Sequence, residues 1–294
     1  MSNAPVIALK ISLVIFMAGN LLEMGLKLDP RDALRGLRDA RFVLLTMLWS
    51  FVLGPALAYA ITRVVPLAPP LAMGLILMGM APSAPFLPML VGKARGDLGY
   101  TAAFMLLTAA GTVVFMPLAV PLLIPGLAVG PWAIARPLLV MVLLPLATGM
   151  VVLRLSQRGA TRARPFVKGT TLVATVATAV LCIVVYGKAL LGIAGSLAVA
   201  SQVLFFVPVT AVSYWMGLGL PNDRRIVLSA GLATRNLGAA LAPLFALPEV
   251  DQRAIVMVIL GLPLMVVFAK LSIRWFGPSN LAGASRPQPT EGAA

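Results

Sequence analysis

The sequence predicts an all-α polytopic membrane protein of nine transmembrane helices, and three observations carry that reading. The 294 residues are 60% apolar and only 11% charged, with a mean hydropathy of +1.00. Apolar runs recur at the length a bilayer demands, and basic residues gather in alternate connections between them. Soluble domains lie near about 45–50% apolar and about 25% charged, so much of this surface faces lipid rather than water.

Crossing about 30 Å of hydrocarbon takes roughly 20 helical residues. Nine runs reach that length: A, Pro5–Leu26; B, Phe42–Val65; C, Pro70–Gly92; D, Leu98–Ile124; E, Trp132–Leu153; F, Phe166–Tyr186; G, Leu190–Leu218; H, Ile226–Leu247; and I, Ala254–Phe276. Short loops are expected between them, so 1–276 reads as a single transmembrane domain. The stretch 277–294, rich in Gly, Pro, Ser and Ala, is expected to be a disordered cytoplasmic tail. Run A opens like a signal peptide, with Lys10 before Ile11–Ala18. No small-x-small cleavage site follows, however, and the run continues through Asn20-Leu-Leu-Glu-Met-Gly-Leu, so it is expected to remain a span.

Basic loops are retained on the cytoplasmic side. The A–B loop carries Lys27, Arg31, Arg35, Arg38 and Arg41, and C–D carries Lys93 and Arg95. E–F carries Arg154, Arg158, Arg162, Arg164 and Lys168; G–H has Arg224 and Arg225; the C-terminal side has Lys270, Arg274 and Arg286. The opposite side holds Lys10, Arg63, Arg136, Lys188 and Arg253. This alternation predicts an external N-terminus and a cytoplasmic C-terminus in the inner (plasma) membrane. It also accounts for most of the +14 net charge as a topology signal, so no nucleic-acid partner is expected.

Two runs contain features that a lipid-facing helix does not tolerate. Run C reads Met80-Ala-Pro-Ser-Ala-Pro-Phe-Leu-Pro-Met89, and Pro82, Pro85 and Pro88 remove three amide donors near mid-membrane. Freed carbonyls survive there only inside protein or along a wet cavity, so the prolines either break the helix at a binding site or merely kink it to shape packing. Run H reads Ser229-Ala-Gly-Leu-Ala-Thr-Arg-Asn-Leu-Gly-Ala-Ala-Leu-Ala242, in which Gly231 and Gly238 flank Thr234-Arg235-Asn236. Arg235 stands about ten residues from either end of its run, too deep to snorkel, so it must face the interior. It serves there either as a structural cation holding carbonyls or Glu23, or as an anion-binding or charge-compensating one.

Setting run E (about 132–153) aside as a linker, runs A–D (about 5–124) and F–I (about 166–276) form two sets of four with opposite topology. C and H are the third members of each set. An inverted repeat whose equivalent members are both interrupted, crossing at the midplane, is the architecture of an alternating-access carrier. Run A adds Asn20 and Glu23, which share a helix face. Glu23 precedes Lys27 by four residues and either pairs with it at the helix end or faces the cavity, where it can take a proton or pair with Arg235.

The composition excludes much else. There is no histidine and a single cysteine, Cys182, which leaves no intrachain disulfide, His or Cys/His metal site, or histidine triad. Neither a metal nor a cofactor is expected. The runs lack the His, paired Asp or Ser dyad of an intramembrane enzyme, so none is expected. Cys182 lies in Leu181-Cys-Ile, an apolar face, and reads as packing rather than the functional thiol of an arsenite-type efflux carrier.

Four stretches resemble the bile acid:sodium symporter family, chiefly its nine-span form. They are Met24-Gly-Leu-Lys-Leu-Asp-Pro-Arg-Asp with its basic sequel, Ser50-Phe-Val-Leu-Gly-Pro55, run C with Lys-Ala-Arg-Gly-Asp97, and Gly231 through Leu241. The resemblance implies core and panel bundles, the core holding two crossed, discontinuous helices. It does not carry the ion chemistry. Where sodium-coupled members resemble Pro-Gly-Gly-Thr-Ala-Ser-Asn in the first break, this chain has Pro82-Ser-Ala-Pro-Phe-Leu-Pro88, so the Ser-Asn pair has become Leu87-Pro88. Against Glu-x-Gly-x-Gln-Asn in the second, a match anchored on Gly231 puts Ser229 at the glutamate, Ala233 at the glutamine and Thr234 at the asparagine. A further glutamine falls on Ser50, and a hydroxyl ligand survives as Thr101, with Met105 one turn on. Sodium wants several hard oxygens including a carboxylate, so these positions are not expected to bind it.

The expected function is a secondary carrier of a small organic anion, not coupled to sodium, with the bilayer as its other partner. The substrate is expected to meet Ser83, Pro85, Ser229, Thr234, Arg235 and Asn236, together with Asn20 and Glu23. The alternative is a degenerate carrier acting as a membrane sensor or partner-binding subunit. Oligomeric state is not readable from the sequence.

Overall fold

The computed structural model describes residues 4–28, 30–124, 130–193, 197–217, 219–247 and 250–277. Its helices are α1 (Ala4–Gly25), α2 (Pro30–Arg38), α3 (Ala40–Leu48), α4 (Gly54–Val64), α5 (Pro69–Gly79), α6 (Leu87–Lys93), α7 (Leu98–Leu123), α8 (Pro131–Leu138), α9 (Leu144–Leu155), α10 (Gln157–Gly192), α11 (Ala198–Met216), α12 (Asn222–Ala233), α13 (Leu237–Phe245) and α14 (Gln252–Phe276). Starts are marked by side chains suited to the task. Prolines open α2, α5 and α8, where no amide donor is missed. Asp39, Asp97, Ser156, Asn236 and Asp251 cap α3, α7, α10, α13 and α14 by accepting free amide hydrogens.

Among the described residues, seven helical stretches are long and apolar enough to cross a membrane: Ala4–Gly25, Ala40–Val64, Leu98–Leu123, Pro131–Leu155, Gln157–Gly192, Ala198–Met216 and Gln252–Phe276. They fall on runs A, B, D, E, F, G and I. Runs C and H are instead the short pairs α5/α6 and α12/α13. Large apolar side chains such as Ile7, Leu122, Val173 and Ile183 stand exposed on the spanning helices, as lipid-facing residues do.

Three details differ from the sequence reading. The A–B connection is not merely a loop, because it contains α2, which packs on α7. The E–F connection is helical from Gln157: Ser156 caps the Gly159 amide, and Arg158, Arg162, Arg164 and Lys168 ride on the first turns of α10. Run G starts later than read, since α10 continues to Gly192 and α11 begins at Ala198. Of the stretch expected to be disordered, all beyond Gly277 lies outside the described residues.

Two long helices contain a π-turn, and both have the same cause. Trp49–Leu53 joins α3 to α4, and Leu139–Leu143 joins α8 to α9. In each, a proline stands two residues beyond the turn, at Pro55 and Pro145, and the last amide before it reaches back five residues, Gly54 to Trp49 and Leu144 to Leu139. The carbonyl at Ser50 is left without a helical donor, because Pro55 has no N–H to give it.

Helices α1, α9 and α10 pack on one another as one layer. Helix α14 packs against α5, α11 against α12 and α14, and α4 against α5, while α2, α3 and α8 pack on α7. The first layer is closed by a backbone-to-backbone crossing of Gly25 on α1 and Gly149 on α9. A Cβ at Gly149 would stand 2.5 Å from the Leu22 carbonyl oxygen and 2.7 Å from the Leu26 nitrogen. On the basic side, Asp39 ties three elements together: Oδ1 accepts the Phe42 amide at 3.1 Å, and Oδ2 accepts the Tyr100 hydroxyl at 3.0 Å and Arg224 Nη1 at 2.9 Å. Arg224 also lies over the Tyr100 ring, 4.3 Å from its centroid.

Burial pushes the Asp39 carboxyl up, but the Phe42 amide, the Tyr100 hydroxyl and Arg224 outweigh it and hold it below 3.8. A carboxyl lowered on folding stabilises the fold above its unfolded value, and that stabilisation is lost as pH falls through the folded one. Asp39→Asn is therefore expected to lower the melting temperature of the detergent-solubilised protein at neutral pH. Its difference from wild type should shrink as pH drops below 3.8. Gly149→Val should lower the melting temperature by several degrees, as about 1–3 kcal/mol of overpacking does. Gly169→Ala, with nothing within 4 Å of its new atom, should leave it in place.

Candidate functional site

The two interrupted runs meet at their breaks. Helix α5 stops at Gly79 because Pro82 cannot donate and disfavours a helical residue before it, and the chain restarts at Leu87, where Pro88 sits harmlessly in the first turn of α6. Between them Ser83 holds φ at +74°, a left-handed conformation uncommon for a side-chain-bearing residue. Helix α12 stops at Ala233; Thr234 and Asn236 are extended, and Asn236 caps α13 through the Ala239 amide at 3.1 Å.

Each break satisfies the other. The Ser83 amide donates to the Thr234 carbonyl at 2.9 Å, and the Asn236 amide donates to the Ala81 carbonyl at 2.9 Å. These two bonds form a minimal antiparallel bridge whose central residues are Pro82 and Arg235. Pro82 occupies the one position of such a bridge where no amide is required. The Thr234 hydroxyl adds a third tie, accepting the Ala84 amide at 3.1 Å and donating to the Gly231 carbonyl at 2.9 Å. Thr234 is thus fully occupied in holding the crossing together.

Arg235 is 0% exposed. Its backbone amide turns away from the bridge to the Met265 sulfur at 3.3 Å. The guanidinium donates from Nη1 to the Gly79 carbonyl at 3.3 Å and lies 4.8 Å from the centroid of the Phe205 ring. Nη2 faces Gly54, within 3.9 Å of the point a Cβ would occupy there. Nε and Nη2 have no hydrogen-bond partner among the described residues. No described carboxylate pairs with Arg235: Glu23 pairs with Lys27, Asp39 with Arg224 and Asp251 with Arg253. What faces the cation is the C-terminal end of α5, where carbonyls and the helix dipole concentrate negative charge.

Two cavities lie beside the crossing. The larger, of about 640 Å³, is lined by Asn20, Glu23, Lys27 and Lys168 on one side and by Pro85, Phe86 and Met89 of the first break on the other. The smaller, about 10 Å³ and room for about one water, is lined by Ser83, Asn236, Met105, Thr108 and Thr112. Met24 belongs to both.

The residues singled out from sequence therefore fall into separate places. Asn20, Glu23 and Pro85 line the larger cleft, with the Asn20 amide donating to the Phe16 carbonyl at 2.7 Å. Ser83 and Asn236 line the small cavity, and the Ser83 hydroxyl is buried there with no hydrogen-bond partner among the described residues. Ser229 is turned to α11 and α14, donating to the Thr210 carbonyl at 2.7 Å and sharing a 2.9 Å bond with Ser272. Of the positions matched to sodium ligands, Leu87 and Ala233 are buried and apolar, and Pro88 lines the cleft. The Thr101 hydroxyl donates to the Asp97 carbonyl at 2.8 Å, and Met105 lines the small cavity. The Ser50 hydroxyl is buried in the first π-turn with no hydrogen-bond partner among the described residues. Sequence reasoning did not single out Thr108 and Thr112, though their spacing of four marks one face of run D. Lys168 was read only as a topology charge.

Thr234→Val strands the Ala84 amide, at a cost of about 1–3 kcal/mol. A melting curve is expected to show the loss, and Thr234→Ser, which keeps the hydroxyl, is expected to recover most of it.

The profile of a family described as the Sodium Bile acid symporter family matches residues 14–193. The match ends before α12, so the second break lies outside it. A protein of Oryza sativa subsp. japonica named probable sodium/metabolite cotransporter BASS2, chloroplastic, is 26% identical over 242 residues. The aligned stretch is 78% of this chain and 57% of that relative, so the chain spans little more than half the relative's length.

Proposed function

Because the chain belongs to the sodium bile acid symporter family, we propose that it carries a small organic anion across the membrane by alternating access, with Arg235 in the electrostatic role that sodium plays elsewhere in the family. The observation that carries this reading is the fully buried guanidinium donating to the Gly79 carbonyl at a crossing where no described carboxylate pairs with it. A fixed cation at the end of a half-helix neutralises the carbonyls that a bound ion would otherwise neutralise. It needs no partner ion in the medium, so transport is sodium-independent.

Arg235 lines neither cavity, which favours charge compensation over direct contact with the substrate. The substrate's place is the larger cleft, where Asn20 offers hydrogen bonds and Lys168, the lining cation outside the Glu23–Lys27 pair, attracts an anion across from Asp32. Phe86, Met89 and Leu98 supply an apolar wall for the body of the molecule. On this reading α1, α9 and α10 belong to the panel, and the crossed segments with α7, α11 and α14 form the core. The two sets of four runs are the inverted repeat, giving nine spans with an external N-terminus and a cytoplasmic C-terminus. Rocking of the core against the panel carries the cleft from one side to the other, with Met24 withdrawn to join it to the cavity beneath Ser83.

The test is uptake of a panel of labelled organic acids into proteoliposomes. Flux is expected to be equal in sodium and in choline medium, and Arg235→Ala is expected to abolish it. Arg235→Lys keeps the charge without the planar fork and should retain a fraction of the flux. Sodium-stimulated uptake that persists in Arg235→Ala would overturn the assignment, and no flux of any acid would favour the sensor reading.

A further inference from the structure

Helix α10 carries cations and an apolar face on one continuous stripe. Arg158, Arg162, Phe166, Thr170 and Val173 succeed one another at spacings of three and four and are all exposed. The helix has 36 residues and is about 54 Å long, well beyond the hydrocarbon thickness of about 30 Å. Its charged first turns therefore stand at headgroup level while the stripe below runs into the acyl region. Arg164, two residues beyond Arg162, is already committed to the Leu26 carbonyl just past the end of α1 and so fixes the depth of α10 against its neighbour.

Below Arg162 two grooves open toward lipid. One, of about 850 Å³, runs between α1 and α10 past Ile11, Gly169 and Ala177. The other, of about 510 Å³, lies among α1, α9 and α10, past Ala18, Leu144 and Thr148. They share Ile15, Phe166 and Thr170, so Phe166 is a ridge from which both depart. Small residues, Ala8, Ser12, Gly169, Ala174 and Ala177, alternate with larger apolar ones along the wider groove, and at Gly169 nothing lies within 4 Å of where a Cβ would be. Neither Arg158 nor Arg162 is in any of the ion pairs among the described residues.

We propose that this face holds one anionic diacyl phospholipid of the surrounding bilayer. Arg158 and Arg162 take the phosphate-bearing headgroup, and one chain lies in each groove with Phe166 between them. A pair of arginines one helical turn apart matches a single phosphodiester with its neighbouring polar groups, and two grooves diverging from one ridge match two chains on one glycerol. The site sits on the outer face of the α1–α9–α10 layer, so it does not depend on the transport reading.

The full-length protein is examined by native mass spectrometry with phosphatidylglycerol and phosphatidylcholine as probes. Wild type should retain phosphatidylglycerol in preference to phosphatidylcholine by about thirtyfold, the factor two surface arginines supply toward an anionic lipid. The double substitution Arg158→Gln, Arg162→Gln should erase that preference while leaving phosphatidylcholine retention unchanged. Gly169→Leu, whose Cβ meets nothing within 4 Å and whose branch projects into the wider groove, should lower retention of both lipids with an unchanged melting temperature. Equal retention of the two lipids by wild type would overturn the proposal, as would a preference that survives the double substitution. A dimer that Gly169→Leu splits without loss of lipid would overturn it too, by assigning the face to a second copy of the chain.

Discussion

Irregular backbone inside a bilayer must find its hydrogen bonds within the protein, because hydrocarbon offers none. Runs C and H both violate helical regularity at the same depth, and either break alone would leave amides and carbonyls stranded at several kcal/mol each. Placed against each other they supply what the other lacks: Ser83 and Asn236 give, and Thr234 and Ala81 receive. The arrangement of α5, α6, α12 and α13 follows from that reciprocity. So does the burial of Arg235, since the residue opposite Pro82 is brought to the centre whatever its side chain is.

A charge so placed cannot be indifferent. The guanidinium lies against the end of α5, and its Nη2 faces Gly54 at the start of α4. Desolvating a cation is costly, and it is tolerated when dipoles already oriented by the fold replace water. The same logic explains why Glu23 is not needed as a counterion and stays with Lys27 at the mouth of the cleft.

Much of this was legible in the sequence because bilayer length and proline chemistry act locally. Apolar runs gave the helices, and the spacing of Pro82, Pro85 and Pro88 marked one break as clearly as Gly231 and Gly238 marked the other. Connections were less legible. Arg158 to Lys168, interrupted by Gly159 and Pro165, has the composition of a loop, yet a Ser156 cap and packing on α1 keep it helical. Side-chain facing was least legible, since Ser229 and Asn236 are both polar residues near a break, and only the neighbouring helices decide that the first turns to α11 and the second to the cavity.

The bridge itself is limited to two bonds. Pro82 has no hydrogen to offer a further strand, and the corresponding amide of Arg235 is engaged with the Met265 sulfur. The broken segments are consequently pinned at a point rather than zipped along a line. A pin resists separation while leaving tilt about itself comparatively free, so the same short contact that closes the backbone's accounts also behaves as an axle.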